Sequence, residues 1–81
     1  MLKGGTVIIS ISKSEISCML RNQHVHGAEL KVPLEAHLPE SFLLYVPVDG
    51  VAYECRLRWR RNDRAGVQFM GTRPRPKLHY G

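Results

Sequence analysis

The sequence predicts an all-β protein: a small six-stranded antiparallel β-barrel followed by a flexible C-terminal tail. Apolar and polar residues alternate with a period of two along most of the chain, which is the period of a half-buried strand. Turn-forming stretches separate about six such segments at intervals of roughly a dozen residues. A chain of 81 residues has few other ways to bury these apolar faces. A closed barrel also removes the exposed edges of an open sheet.

The first half of the chain predicts three strands. Thr6–Ser12 and Ile16–Leu20 both alternate, and the polar interruption Lys13–Glu15 between them is short enough for a hairpin connection. A polar stretch then breaks the pattern and ends on Gly27, which permits the positive φ of a turn. Alternation resumes over Ala28–Val32, which predicts the third strand.

The second half predicts three more strands. Pro33–Glu40 is a connection, because the distance between its two prolines admits at most about one turn of helix. Ser41–Val46 is the fourth strand, and the Asp49-Gly50 dipeptide after it is a strong hairpin signal. Val51–Arg60 and Gly66–Met70 then form the closing hairpin, since the residues between them include Asn and Asp, which favour turns.

The period of two divides the fifth strand into a core face and a solvent face. The predicted core face holds the bulky apolar residues Val51, Tyr53, Cys55, Leu57 and Trp59. The predicted solvent face holds Ala52, Glu54, Arg56, Arg58 and Arg60. We therefore expect Trp59 in the core and a row of arginines facing solvent.

The chain divides into a barrel domain, residues 1–70, and a basic tail, residues 71–81. The tail is rich in Pro, Arg and Lys and has no periodicity, so we expect it to be flexible. Its Leu78 and Tyr80 are available to dock on the barrel or on a partner.

Positive charge is concentrated at the C-terminal end of the chain. Residues 1–54 hold four Lys and Arg against six Asp and Glu, whereas residues 55–81 hold eight against one. Such a one-sided field attracts phosphate groups, nucleic acid, anionic lipid or an acidic protein surface. The alternative is that the charge only keeps a sheet edge and the tail soluble.

Cys18 and Cys55 lie inside apolar strand patterns, where a reduced thiol packs as a small hydrophobic group. This favours a reducing compartment, and a disulfide between the two is the alternative. The N-terminus does not have the pattern of a signal peptide, and no segment approaches the ~20 apolar residues of a membrane span. The sequence therefore predicts a cytoplasmic protein.

No catalytic constellation stands out, so we expect neither an enzyme nor a cofactor. His24 and His26 form an H-x-H pair, and metal ions use such pairs. Two ligands do not make a structural zinc site, and His37 and His79 are distant in sequence. We interpret the pair as part of an exposed loop and expect no metal.

The last hairpin predicts a basic face. It consists of Arg56, Arg58, Arg60, Arg61 and Arg64. Guanidinium groups suit bidentate contacts to phosphate and stacking on bases. No aromatic residue shares this predicted face, whereas a nucleic-acid platform normally supplies stacking rings. We therefore expect an acidic protein partner first, with nucleic acid as the alternative.

The segment C-R-L-R-W-R-x(5)-G-V-Q-F, from Cys55 to Phe69, resembles the closing hairpin of PilZ domains. These are small six-stranded barrels that serve as receptors for cyclic di-GMP. The segment from Cys18 to Leu30 lies where the family carries its [DN]-x-S-x-x-G motif, and Phe42–Val46 matches the strand between. The resemblance covers residues 4–70 and implies the barrel fold and a role in bacterial cyclic di-GMP signalling.

The resemblance also implies a ligand half-site, formed by Arg21, Asn22, His24 and Gly27. Asn22 and Gly27 match the motif, and His24 occupies its serine position. In the family, an R-x-x-x-R motif before the first strand clamps the nucleotide, and here only Lys3 supplies positive charge in that region. We therefore expect cyclic di-GMP binding to be weak or absent, and action mainly through protein contacts.

The alternative function is that of a small basic barrel that binds RNA or DNA. It would use the strand arginines Arg56, Arg58 and Arg60 together with Arg73, Arg75 and Lys77 of the tail. Such binding falls steeply with salt, because each phosphate contact releases counterions.

Overall fold

The computed structural model describes residues 2–9 and 14–74. Within these residues the chain forms six strands: β1 (Lys3–Ile9), β2 (Ser14–His24), β3 (Gly27–Lys31), β4 (Ser41–Val46), β5 (Val51–Arg61) and β6 (Arg64–Pro74). The end of the predicted first strand (Ser10–Ser12) and residues 75–81, with Leu78 and Tyr80, lie outside the described residues.

The strands pair in the order β1-β2-β3-β6-β5-β4, and β1 closes the barrel by pairing also with β4. Each neighbouring pair is antiparallel. The predicted fold class, an all-β protein with a closed six-stranded antiparallel barrel, is confirmed. Closure leaves no strand of this sheet with an unpaired edge, as expected for a small β protein that avoids edge-to-edge association.

The barrel interior is filled by the apolar side chains that alternate along the strands. The largest fully buried ones are Val7, Leu20, Leu30, Leu44 and Val46. Complete burial of such an aliphatic side chain stabilises the fold by about 1.5–3 kcal/mol. Cys18 and Cys55 are free thiols in this core, and burial raises their pKa to about 11 and about 12. Both are therefore unreactive packing residues.

Two strands are longer than the period of two predicts. β2 continues through polar residues to His24, and β6 runs from Arg64 to Pro74. The turn between β5 and β6 is therefore only Asn62-Asp63, with Asn62 in the left-handed region at φ 52°. Cross-strand backbone pairing stabilises these polar segments. β6 therefore extends past residue 70, the expected end of the barrel domain, and its last residue, Pro74, pairs with Val51.

A β-bulge at Arg58 reverses the faces near the end of β5. Leu57 pairs with Val67, but the next pair is Trp59 with Gly66, so one extra residue is inserted in β5. A shift of one residue exchanges the two faces of a strand. Trp59 consequently lies on the outer surface, 47% exposed, and its predicted core position is wrong.

Ala52 is also placed differently from the prediction. It is fully buried rather than solvent-facing. Its register partners on either side are Tyr45 and Arg73, and its own side chain is small enough to lie beneath such larger neighbours. The alternation of residue types predicts the direction in which a side chain points. It does not predict whether larger side chains on the neighbouring strands cover it.

Candidate functional site

A row of three outward-facing positions crosses the sheet at Trp59. Glu29 of β3, Gly66 of β6 and Trp59 of β5 are successive register partners. Gly66 has no side chain, and the indole of Trp59 occupies the space above it, because a Cβ at position 66 would collide with the indole nitrogen. This is the arrangement in which an aromatic ring covers a glycine on the facing strand.

The indole of Trp59 lies between two clefts. The first, of about 280 Å³, is lined by Asn22, His24 and Arg58 among others, and we call it the indole groove. The second, of about 410 Å³, is lined by Arg60, Arg61 and Arg64, and we call it the arginine cleft. Trp59 and Glu29 border both clefts. Each cleft thus combines an aromatic ring with cationic side chains.

A bulge in β2 positions Asn22 and His24 at the indole groove. The register between β2 and β3 shifts between Arg21 and His24, and Asn22 adopts the left-handed region at φ 49°, which asparagine tolerates. Its side-chain nitrogen donates to Glu29 Oε1 at 3.2 Å. The backbone N–H of His26 donates to Nδ1 of His24 at 3.2 Å, so the other ring nitrogen of His24 does not take part in this turn.

Glu29 places a carboxylate at the border of the two clefts. Arg64 Nη1 donates to Glu29 Oε2 at 2.7 Å, and this hydrogen bond is the main reason why the pKa of Glu29 is lowered. Asn22 and Arg21 lower this pKa further. Glu29 is therefore ionised at neutral pH, and Arg64 is engaged with it rather than available as a simple phosphate ligand.

The five arginines of the predicted basic face do not act as one surface. Arg58 alone of the five lines the indole groove, and Arg56 lines neither cleft. Arg60 is tied to the connection between β3 and β4, because its guanidinium donates to the backbone carbonyls of Ala36 and Pro33 at 2.8 and 3.2 Å. The five arginines therefore differ in their surroundings: some line a cleft, Arg64 is in an ion pair with Glu29, and Arg60 is bonded to the β3–β4 connection.

Two residues of the predicted half-site have other contacts. Gly27 is buried, and a Cβ there would collide with the backbone carbonyl of Val67, so the close approach that it permits is between β3 and β6. Arg21 is partly exposed and pairs in register with Glu29. Asn22 and His24 are the two half-site residues that line the indole groove.

Comparison with family models, with curated proteins and with solved structures finds no match for this chain. Within residues 2–9 and 14–74, no group of three or more side chains is arranged to hold a metal ion. The same part of the chain contains no helix of the length and apolarity that a membrane crossing requires. A small barrel supports many functions, so the fold alone does not identify the function of this chain, and the chemistry of its clefts has to indicate it.

A third and larger cleft, of about 740 Å³, opens at the barrel end where β1 begins and β2 ends. We call it the barrel mouth. Asp49 organises one side of it by accepting hydrogen bonds from Lys3 at 2.8 Å, Gln23 at 3.1 Å and Tyr53 at 2.5 Å. The hydrogen bond from Lys3 is the largest cause that lowers the pKa of Asp49 to about 2. The ring of Tyr53 stacks on that of Phe69 with centroids 4.2 Å apart.

Sequence reasoning did not find the barrel mouth or the exposed indole. The Asp49-Gly50 dipeptide predicts only a turn, and nothing in its spacing relates Asp49 to Lys3 or Gln23. The available signal for the indole was Gly66, since a glycine inside a strand often indicates close approach of another group.

Proposed function

We propose that the protein is a non-enzymatic bacterial signalling module of PilZ type, which binds cyclic di-GMP weakly at the indole groove and acts through protein contacts. The nucleotide and the family come from the resemblance of the segments around Asn22 and Trp59. The contacts at the groove support the same class of ligand on chemical grounds, because a guanine nucleotide offers planar bases to stack and phosphates to pair with guanidinium groups.

The observation that carries this proposal is the position of Trp59. The bulge at Arg58 brings the indole out of the core and beside Asn22, His24 and Arg58. These four side chains supply a stacking ring, an amide for a base edge, an imidazole and a cation. Stacking of a base on an aromatic side chain is worth about 1–3 kcal/mol.

Weak binding is expected for two reasons. Lys3, the cation nearest the position of the family's arginine pair, is held in an ion pair with Asp49 at 2.8 Å. The ionised Glu29 at the groove repels phosphate. The two charged hydrogen bonds that the family's arginine pair would donate are therefore missing. At about 1.5–3 kcal/mol each, their loss reduces affinity by a factor of roughly 10² to 10⁴.

Calorimetric titration with cyclic di-GMP at physiological salt tests the proposal. We expect a dissociation constant above about 10 µM, equivalent to a binding free energy of about −7 kcal/mol. Replacement Trp59→Leu should weaken binding about tenfold or more, and Trp59→Phe should retain most of it, since it keeps a ring. Submicromolar affinity would contradict the weak-binding proposal, and undetectable binding at millimolar nucleotide would contradict the site.

A pair of arginines provides the matched control. Arg58→Gln removes a cation that lines the indole groove, whereas Arg56→Gln removes an exposed arginine of the same strand that lines neither cleft. Binding should fall for the first variant and remain for the second. Equal loss in both variants would mean that general positive charge, and not the groove, attracts the nucleotide.

Binding of single-stranded RNA or DNA is a second candidate, and exposed Trp59 favours it. The sequence predicts an arginine face without an aromatic ring, which disfavours nucleic acid. In the structure the indole of Trp59 borders the clefts lined by Arg58, Arg60 and Arg61. A gel shift with single-stranded oligonucleotides at low salt should give a complex that disappears as salt rises. A blank gel at low salt removes this candidate without affecting the cyclic di-GMP proposal.

A further inference from the structure

Glu29 is the only acidic side chain among the described residues that line the two clefts beside Trp59. Both residues are register partners of Gly66, so their side chains lie on the same face of the sheet. The indole extends over Gly66, and neighbouring strands are about 4.7–4.9 Å apart. The carboxylate of Glu29 is therefore within reach of the edge of a base that stacks on the indole.

Two hydrogen bonds orient this carboxylate, one on each oxygen. Asn22 Nδ2 donates to Oε1 at 3.2 Å, and Arg64 Nη1 donates to Oε2 at 2.7 Å. An ionised carboxylate offers about four acceptor sites, so one on each oxygen remains free for a ligand. The side chain of Glu29 is 22% exposed and lines the indole groove, so a ligand in the groove can reach these sites. The groove therefore holds a preorganised pair of acceptors beside an aromatic ring.

The nucleic-acid bases differ in what they offer to a pair of acceptors. Guanine carries two adjacent N–H donors, at N1 and at the 2-amino group, on its base-pairing edge. Adenine and cytosine each place a bare ring nitrogen beside their amino group, and uracil has a single N–H between two carbonyl oxygens. A site that forms two polar contacts with one ligand strongly rejects an analogue that lacks one of them. A carboxylate in this position therefore favours guanine over the other three bases.

We propose that Glu29 selects guanine in the indole groove: the base stacks on Trp59 and donates its N1–H and a 2-amino N–H to the two oxygens of the Glu29 carboxylate. The inference rests on the proposed nucleotide site, and it holds for guanine of a cyclic dinucleotide and for guanine of a single strand alike. Because the carboxylate repels phosphate, it also sets the orientation of the nucleotide, with the base edge towards Glu29 and the phosphate towards Arg58.

NMR titration of the ¹⁵N-labelled full chain with GMP, IMP and AMP tests the selection. Trp59 is the only tryptophan of the chain, so its indole N–H gives a single resonance that reports binding in the groove. We expect GMP to bind about tenfold or more tightly than AMP, with IMP, which lacks the 2-amino group, between them. Equal affinity of AMP and GMP, or of IMP and GMP, would overturn the proposal. Absence of any shift at millimolar GMP would also overturn it.

Two matched variants assign the selectivity to one carboxylate. Glu29→Gln should bring the ratio of GMP to AMP affinity close to one, because the amide has a donor in place of one acceptor. Glu54→Gln removes a carboxylate that is likewise in an ion pair with an arginine, Arg73, but lines neither cleft, and it should leave the ratio unchanged. Ribose 5-phosphate, which has no base, should bind Glu29→Gln more tightly than the unaltered chain, because only repulsion is lost. An unchanged ratio in Glu29→Gln would show that Glu29 serves only its ion pair.

Larger ligands separate this inference from the proposed function. If cyclic di-GMP and cyclic di-AMP shift the Trp59 resonance with equal affinity, the nucleotide site stands and selection by Glu29 is wrong. If GMP is preferred over AMP but cyclic di-GMP gives no shift, selection by Glu29 stands and the cyclic di-GMP proposal is wrong. Preference for single-stranded GUGUGU over AUAUAU RNA in that second case would support Glu29 as the guanine contact of a nucleic-acid site.

Discussion

Replacing Gly66 by alanine tests whether the glycine holds the indole of Trp59 in place. A Cβ at position 66 would meet three atoms of the indole, so the ring must move. The side chain is 47% exposed, which leaves about half of its roughly 200 Å² in contact with protein. Loss of ~100 Å² at ~25 cal/mol/Å² costs at most about 2.5 kcal/mol. Alanine in a strand regains about 0.5–1 kcal/mol relative to glycine, so the expected net destabilisation is about 1–2 kcal/mol.

Urea unfolding followed by circular dichroism measures this loss. Trp59 is the only tryptophan in the chain, so its fluorescence reports the ring directly, and Gly66→Ala should shift the emission to longer wavelength. Gly4→Ala is the matched control, because Gly4 lies in β1 and a Cβ there has no heavy atom within 4 Å among the described residues. That control should leave the emission unchanged and the stability unchanged or slightly raised.

A double-mutant cycle identifies the cause of the destabilisation. In a Trp59→Ala background there is no indole to displace, so Gly66→Ala should be neutral or stabilising by up to about 1 kcal/mol. If Gly66→Ala destabilises both backgrounds equally, the collision with the ring is not the reason, and the account of the exposed indole fails.

Three further changes test other parts of the structure. Asp49→Asn should make the free energy of unfolding depend less on pH in the acid range. The pKa of Asp49 is lowered to about 2, so its stabilising contribution is present above about pH 4 and is lost as the pH falls towards 2. Gly27→Ala should lower the free energy of unfolding by at least about 2 kcal/mol in thermal unfolding, since the backbone carbonyl of Val67 cannot rotate away. Arg60→Gln should cost about 1 kcal/mol and speed amide hydrogen exchange in residues 33–36.

The fold class was predictable because each strand contributes an independent period-two signal and each hairpin has its own turn residues. Ser41–Val46 matches the observed β4 at both ends. Boundaries failed where pairing with a neighbour extends a polar segment, as at His24 and Pro74. The predicted core position of Trp59 is wrong for a different reason. The extra residue at Arg58 is fixed by the pairing of β5 with β6, and a single strand's sequence does not contain that information.

The candidate site could be predicted only in parts. The sequence identified Asn22 and His24 through a motif and Arg58 through charge, as features of two alternative functions. The barrel order β2-β3-β6-β5 brings these strands close together, although β2 and β5 are well separated in sequence. Asp49 and its partners were not predicted, since hydrogen bonds between turns at one barrel end depend on closure of the whole sheet.

The bulge in β2 contributes to two clefts at once. Asn22 and His24 line the indole groove on one side and the barrel mouth on the other, and Gln23 between them is bonded to Asp49 and Tyr53. One extra residue in a single strand therefore shapes both clefts, and the period of two along that strand does not predict this.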